Sequence, residues 1–323
     1  LRQTCRRSIS MAGLKNIKLK ILSVGKTRKV TRAMEAVSAV KMRKSQERAL
    51  AARPYAAAAL SVLERLAGSP DVKTHPLMND LRSRSLKTAV IVVTSDKGLA
   101  GALNSATIKQ VERALVERTL MRENTIFFCI GRRGADYFSS RGYDVRARRE
   151  NMSDAVSEED TRAVTDDILK WRQEGEVGDA VMVYTNFLST FEQKPVTRQI
   201  LPITKNMMQE MIAGIAPVRG KFSGRFHLPM GGETSQQTPA YTIEPSAEEV
   251  LNAIMPKILN IAVFHALLEA KASEHSARMV AMKNATDKAR DVGKVLTLKY
   301  NKARQAAITR EVSEITSGLE AMR

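Results

Sequence analysis

One glycine-containing loop carries residue types that could bind a phosphate. It follows a run of buried-type residues at 88–94 and reads SDKGLAG over Ser95–Gly101. Glycines after a strand let backbone N–H groups face an anion. A Walker loop needs GxxxxGK[ST] and a dinucleotide turn needs GxGxxG, whereas the lysine here precedes its glycine. We interpret the loop as a strand-to-helix turn with Asp96 and Lys97 facing solvent or a partner, with a nucleotide site as the alternative.

The remaining polar residues give no catalytic or metal-binding pattern. The four histidines lack the spacing of metal ligands, and we expect core or interface positions for His75, His227, His265 and His275. The acidic runs Glu158–Asp160 and Asp166–Asp167 fit a solvated helix face. Cys5 and Cys129 form no CxxC pair. The sequence therefore predicts a protein with no catalytic residues, no cofactor and no metal site.

The charge of the chain is concentrated at its N-terminus. The 323 residues carry 52 Lys or Arg against 34 Asp or Glu, a net charge of +18. Residues 1–53 hold fifteen of the basic residues and only two acids, Glu35 and Glu47. Such a segment attracts nucleic acid, anionic lipid or an acidic protein. Since no aromatic residue precedes Tyr55 to stack on bases, nucleic acid is the less favoured partner. No run of eighteen apolar residues occurs, so we expect no direct membrane span.

Two long helices are predicted at the ends of the chain. The first covers about residues 14–66, where only one glycine and one proline occur. Its apolar stripe, with a one-residue slip near Gly25, comprises Leu14, Ile17, Ile21, Val24, Val30, Met34 and Val37. The second begins at Ser246, an N-cap with Glu249 three residues later, and keeps one heptad register from Ile254 to Ala303. These narrow stripes are typical of a coiled-coil seam.

Helix length indicates how these ends are arranged. At about 1.5 Å per residue, a helix from 246 to 318 is about 110 Å long and its N-terminal partner about 80 Å. A compact domain of this chain length is only about 50 Å across. We therefore expect the two helices to pair as a long antiparallel coiled coil that extends from a globular middle.

The middle of the chain alternates strands and helices. Strands are predicted at 88–94, 125–130 and 180–184, and helices at 103–122, 132–140 and 157–171. This alternation predicts a small Rossmann-like α/β domain with a parallel sheet. The predicted organisation is a basic tail at 1–10, an N-terminal coiled-coil helix at 11–66, an α/β domain at 67–218, a loop or connector at 219–245 and a C-terminal coiled-coil helix at 246–323.

Several of these segments resemble one known family. Residues 11–46, the Arg53-Pro-Tyr55 triplet and the stretches 94–104 and 274–289 are similar to the gamma subunit of F-type ATP synthase. The family signature Ile-Thr-x-Glu-x-x-[Asp/Glu]-x-x-x-Gly-Ala is matched by Ile308, Thr309, Glu311, Glu314 and Gly318. Leu319 replaces the usual alanine. The resemblance covers nearly the whole chain.

The resemblance implies a rotor shaft without bond chemistry of its own. Its expected partners are the alpha and beta subunits around the coiled coil, the small central-stalk subunits and the membrane ring of c subunits. It implies that the N-terminal helix contacts an acidic loop of beta through Arg28, Lys29 and Arg32, near Met34, with Lys41, Arg43 and Lys44 extending the basic surface. It implies a second contact to beta through Arg304, Gln305, Thr309 and Glu311.

Location and competing functions complete the expectations. The tail at 1–10 has basic and hydroxyl residues and no acid, as transit peptides do. The cysteine pair of the chloroplast family members is absent. We therefore expect the matrix side of the mitochondrial inner membrane, with the inner face of a bacterial cytoplasmic membrane as the alternative. The competing functions are a basic coiled-coil protein that binds nucleic acid and an enzyme that uses the α/β domain.

Overall fold

The elements follow the predicted order along the chain. The computed structural model describes residues 11–51, 54, 58, 75–79, 86–204, 207 and 246–322. In chain order its elements are α1 (Met11–Ala51), β1 (Lys87–Val93), α2 (Leu103–Glu117), β2 (Thr125–Ile130), α3 (Arg132–Ser140), β3 (Asp144–Arg149), α4 (Glu158–Gln173), β4 (Val177–Phe187), β5 (Gln193–Leu201) and α5 (Ala247–Ala321). The predicted tail at 1–10, Arg53 and Tyr55, most of the helix beyond 51 and the predicted loop at 219–245 lie outside the described residues.

The chain divides into two compact units. Unit 1 comprises Leu1–Val37 and Met279–Arg323, and unit 2 comprises Ser38–Arg278. Helix α1 has one segment in each unit, and so does helix α5.

Unit 2 contains a five-stranded sheet in the order β3-β2-β1-β4-β5. The first four strands in this order are parallel, and Ile91 of β1 pairs with Phe128 of β2 and Met182 of β4. Runs of apolar, mostly β-branched or aromatic residues form the central strands because both faces of a parallel sheet are covered. The predicted α/β fold with a parallel sheet is confirmed for these strands.

The two edge strands are additions to the predicted sheet. In β3, at Asp144–Arg149, half-buried and exposed residues with three arginines replace the apolar run of a central strand. Strand β5 pairs antiparallel with β4 and places Pro195 opposite Thr185. Proline and charged residues are tolerated at sheet edges, where one side of the backbone needs no ladder hydrogen bonds.

Helices cover both faces of the sheet. On one face α2 and α3 bury Val111 and Phe138 against Phe127 of β2. On the other face Ile168 of α4 and Val263 of α5 join a larger core. Unit 2 is therefore a three-layer α/β structure.

Within unit 2, α5 is a core helix rather than a two-helix seam. Its N-cap is as predicted, because Ser246 Oγ accepts a hydrogen bond from Glu249 N at 3.2 Å. Nearly every residue from 258 to 276 is buried, on all sides of the helix. His265 and His275 are 2% and 3% exposed, which confirms their predicted core positions. The heptad pattern in this part of α5 thus coincides with burial on all sides of the helix and not with a single narrow seam.

The same helix has a composition that could cross a bilayer. Between Glu249 and Ala321 it contains an 18-residue window apolar enough for a membrane span, and 56% of that window is buried inside the protein. The core helices of soluble α/β structures share this property.

Unit 1 is an antiparallel pair formed by α1 and α5. The hydroxyls of Thr31 and Thr286 are 2.7 Å apart, and a Cβ added to Gly293 would lie 3.9 Å from Val24 Cγ1. The contact residue number rises on α5 as it falls on α1, so the helices run in opposite directions. From 289 to 307 the positions that are not exposed recur at heptad spacing: Ala289, Gly293, Leu296, Tyr300, Ala303 and Ala307. The predicted coiled coil is confirmed here.

One part of the predicted α1 stripe is wrong. Val30 and Val37 are 58% and 54% exposed, whereas Thr31 is 8% exposed and lies in the seam. No slip occurs at Gly25, because the heptad frame of Ile17 and Val24 continues directly to Thr31. The hydroxyl of Thr31 donates to the Arg28 carbonyl at 3.1 Å and accepts from Thr286, so it is satisfied in the seam. The prediction from sequence periodicity placed the apolar residues Val30 and Val37 in the seam and left out Thr31.

Replacing Gly293 by alanine is expected to stabilise the coiled coil. Gly293 has a helical position whose added Cβ would meet Val24 at an ordinary contact distance. Alanine is favoured over glycine in a helix by about 1 kcal/mol. The urea midpoint of the purified chain should therefore rise for Gly293→Ala. Gly25→Ala is the matched control, because its Cβ would meet nothing within 4 Å and shows the helix propensity alone. A lower midpoint for Gly293→Ala than for the parent contradicts the packing described here.

Candidate subunit-binding surfaces

The loop after β1 is used to build the fold. Asp96 Oδ1 accepts from Arg132 N and Asp96 Oδ2 accepts from Asn151 N, each at 3.0 Å. This carboxylate therefore occupies the N-terminus of α3, the position that an anion would take. The expectation that Asp96 faces solvent or a partner is wrong, whereas Lys97 is exposed as expected. The neighbouring Gly131 has φ +93, and a Cβ there would overlap the Thr94 carbonyl.

The other residues with potential chemistry also have structural surroundings. Ser157 Oγ accepts from Asp160 N at 3.1 Å, and Asp160 Oδ2 accepts from Ser157 N at 3.0 Å, so this acidic run caps α4. Burial raises the pKa of Cys129 to about 12, although Arg148 opposes the shift. The thiol is therefore protonated at neutral pH. Among the residues that the structure describes, no group of three or more His, Cys, Asp or Glu could hold a metal ion.

The predicted N-terminal contact residues form an exposed basic surface on α1. Arg28, Lys29 and Arg32 are all exposed. At about 100° per residue, these three lie within about 100° of one another around the helix. Within the described part of the chain, no ion pair involves any of them. Met34 is half-buried and lies on the seam side instead.

One expected extension of this surface has a different role. Lys41, Arg43 and Lys44 are all exposed, but Lys41 Nζ also lies 2.6 Å from Asp154 Oδ2 inside unit 2. Lys41 is therefore paired within the chain, so its charge is less available to a partner than the charges of Arg43 and Lys44.

The predicted C-terminal contact residues flank an apolar stripe. Every residue from 308 to 322 is exposed. Large apolar side chains recur there at spacings of 4, 3 and 4, and they are Ile308, Val312, Ile315 and Leu319. On a helical projection of about 100° per residue, Arg304 and Glu311 lie on one side of this stripe, and Gln305 and Thr309 on the other. The Thr309 hydroxyl donates to the Gln305 carbonyl at 3.0 Å.

An exposed apolar stripe at the end of a long helix indicates a surface that another protein covers. The resemblance stated in the sequence analysis identified the polar residues on both sides of this stripe, Arg304, Gln305, Thr309 and Glu311. The stripe itself has a signal in the 4-3-4 spacing of Ile308, Val312, Ile315 and Leu319, a heptad-type pattern that is shifted by one residue from the seam positions Ala303 and Ala307.

A model of the family described as ATP synthase matches residues 13–322. The gamma chain of Heliobacterium modesticaldum is 35% identical over 313 residues, which are 97% of this chain and 100% of the relative. The gamma chain of Legionella pneumophila is 36% identical over 312 residues, with the same coverage. The chain therefore belongs to the ATP synthase gamma-chain family.

Solved structures share the fold. The mitochondrial ATP synthase of Euglena gracilis contains a chain that matches with a TM-score of 0.62 and 19% identity, over 97% of this chain and 95% of that chain. In the mitochondrial central stalk of Tetrahymena thermophila the TM-score is 0.56 at 22% identity, over 79% of this chain and 99% of that chain. This chain therefore shares its fold with chains of these mitochondrial ATP synthases.

Proposed function

We propose that this chain transmits rotation in the central stalk without bond chemistry of its own. It would carry rotation between the membrane ring of c subunits and the catalytic hexamer of alpha and beta subunits. Membership of the gamma-chain family is the observation that carries the proposal. The coiled coil of unit 1 supports the proposal, because two helices packed along a heptad seam are stiffer than a single helix.

The two exposed surfaces are the proposed contacts with the hexamer. The apolar stripe of α5 would be covered by alpha and beta subunits, with Arg304 and Gln305 gripping a beta-subunit loop from either side. The basic surface of Arg28, Lys29 and Arg32 would face an acidic loop of beta. Because the shaft is asymmetric, its rotation would place three otherwise equivalent catalytic sites in different conformations in turn.

The α/β unit would bind the small central-stalk subunits and the ring of c subunits. For the compartment we propose the matrix side of the mitochondrial inner membrane, supported by the composition of residues 1–10. The relatives include bacterial gamma chains and the solved structures are mitochondrial, so the bacterial cytoplasmic membrane is the alternative.

Purification from membranes tests this function. Membranes of the source cells are solubilised in mild detergent, and the chain is captured by an affinity tag. We expect alpha, beta and c subunits to elute with it, and the eluate reconstituted in vesicles to pump protons when ATP is added. Elution of the chain without alpha and beta subunits contradicts the proposal.

The isolated chain is expected to hydrolyse no ATP. Asp96 of the loop after β1 fills the N-terminus of α3, and phosphoryl transfer needs a cradle for Mg²⁺ and the γ-phosphate. Phosphate release by the purified chain is the measurement, and Lys97→Ala is the control for the one exposed lysine of the loop. Turnover that co-purifies with the chain and disappears in Lys97→Ala contradicts a non-catalytic role.

A further inference from the structure

The loop between β3 and α4 receives two side chains of α1 within unit 2. Lys41 Nζ lies 2.6 Å from Asp154 Oδ2. About two turns further along, Arg48 Nη1 donates to the main-chain oxygen of Asp154 at 3.1 Å. Both the carboxylate and the carbonyl of one residue are therefore bound to the same helix.

Helix α5 holds the same loop from a second direction. His275 Nε2 lies 2.8 Å from Asp154 Oδ1, and Lys271 Nζ donates to the Met152 carbonyl at 3.1 Å. His275 is buried, and this burial lowers its pKa against the opposing effect of Asp154. The imidazole is therefore neutral at neutral pH, and its Nε2–H donates to the carboxylate. Asp154 thus joins both terminal helices through one side chain.

The charges around Asp154 favour its ionised form. Partial burial would raise its pKa, but the hydrogen bond from Lys41 and the positive charges of Lys41 and Lys271 oppose burial, and the pKa is lowered. Glu274, the nearby acid on α5, is bound by Arg278 Nη2 at 2.7 Å. Asp154 is therefore a carboxylate at neutral pH and accepts charge-assisted hydrogen bonds.

The two helices differ in what else attaches them to the sheet. Helix α5 has independent hydrogen bonds: Ser273 Oγ donates to the Thr185 carbonyl at 3.0 Å and Ser276 Oγ to the Thr190 carbonyl at 2.6 Å. For residues 38–51 of α1, the side-chain polar contacts with other described residues of unit 2 all end on Asp154. Asp154 is consequently the polar attachment point of α1 to the sheet.

We propose that Asp154 is a positioning residue that locks α1 to the α/β unit, so that rotation of this unit is carried into α1 together with α5. This inference rests on the proposed function and adds the residue through which rotation passes to the first helix. The lock acts through Lys41, Arg48 and His275, all of them residues of unit 2.

The test uses the assembled complex in inverted membrane vesicles. Asp154→Asn keeps the shape of the side chain and removes its charge, so Lys41 loses its counter-charge. Asp167→Asn is the matched control, because Asp167 pairs with Arg149 at 3.5 Å and its side chain is 38% exposed against 35% for Asp154. Asp154→Glu restores the charge. The measurements are the amount of assembled complex, the rate of ATP hydrolysis and the rate of ATP-driven proton pumping.

We expect Asp154→Asn to lower the ratio of protons pumped to ATP hydrolysed by about twofold or more, because the neutral amide leaves Lys41 without a counter-charge and accepts weaker hydrogen bonds than the carboxylate. Asp167→Asn should leave the ratio unchanged, and Asp154→Glu should restore part of it. An unchanged ratio in Asp154→Asn, with or without less assembled complex, overturns the lock. Vesicles of the unmodified protein that hydrolyse ATP without pumping would instead reject the proposed function.

Discussion

Reversing the three exposed charges of α1 is expected to reduce ATP-driven proton pumping by roughly tenfold. The change is Arg28→Glu, Lys29→Glu and Arg32→Glu in the assembled complex. Exposed ion pairs contribute about 0.2–1 kcal/mol each, and about 1.4 kcal/mol corresponds to a factor of ten. Three lost attractions and the new repulsion from an acidic loop together reach this range, whereas any single reversal should have a mild effect.

The fold of the variant should survive. The three side chains are exposed, and within the described residues none forms an ion pair that the change would break. Circular dichroism should therefore show unchanged helix content. A triple reversal of Lys15, Lys18 and Lys20 to glutamate is the matched control, because these side chains are also exposed on α1 and the net charge changes equally. Equal pumping by the two triple variants and the parent contradicts the role of Arg28, Lys29 and Arg32.

The parts of the fold that sequence predicts are those fixed by local pattern. The central strands consist of apolar runs such as 88–93 and 125–130, which are bounded by turns and buried on both faces. The heptads of α5 predict its seam in unit 1 because a two-helix interface buries one narrow stripe. In each case the pattern that predicts the element lies within the residues that form it.

The parts that sequence missed depend on neighbours distant in the chain. Strand β3 can carry arginines because it lies at a sheet edge. The residue types of Asp144–Arg149 do not predict that this strand pairs with β2. Thr31 is buried because its hydroxyl meets Thr286, 255 residues away. Asp96 reads as a solvated loop residue because its partners, Arg132 N and Asn151 N, belong to later segments.

The candidate surfaces show the same division. Arg28, Lys29 and Arg32 are all exposed, and the resemblance selects them among many basic residues. Lys41 and Lys44 are both exposed lysines, and only the structure shows that Lys41 is paired with Asp154. Composition therefore finds a basic helix, whereas geometry decides which charges remain for a partner.

Replacing Arg304 by alanine is expected to reduce ATP-driven proton pumping by about tenfold, with the helix intact. Arg304 is exposed at the edge of the apolar stripe of α5. Arginine offers five donors in a planar fork that suits a carboxylate or a backbone carbonyl, and the adjacent Gln305 offers a donor and an acceptor. Hydrogen bonds to charged groups contribute about 1.5–3 kcal/mol, which is a factor of ten or more once a covering protein excludes water.

Two comparisons separate the contact from charge and from helix propensity. Arg304→Lys keeps the charge without the fork and should give an intermediate pumping rate. Arg310→Ala makes the same substitution at an exposed position about 120° further around the helix, on the side away from the stripe, and should pump like the parent. Because alanine is the better helix former, unfolding of α5 cannot explain a loss in Arg304→Ala alone. If Arg304→Ala and Gln305→Ala complexes both pump protons at the parental rate per ATP hydrolysed, the assignment of this pair to a beta-subunit contact is wrong.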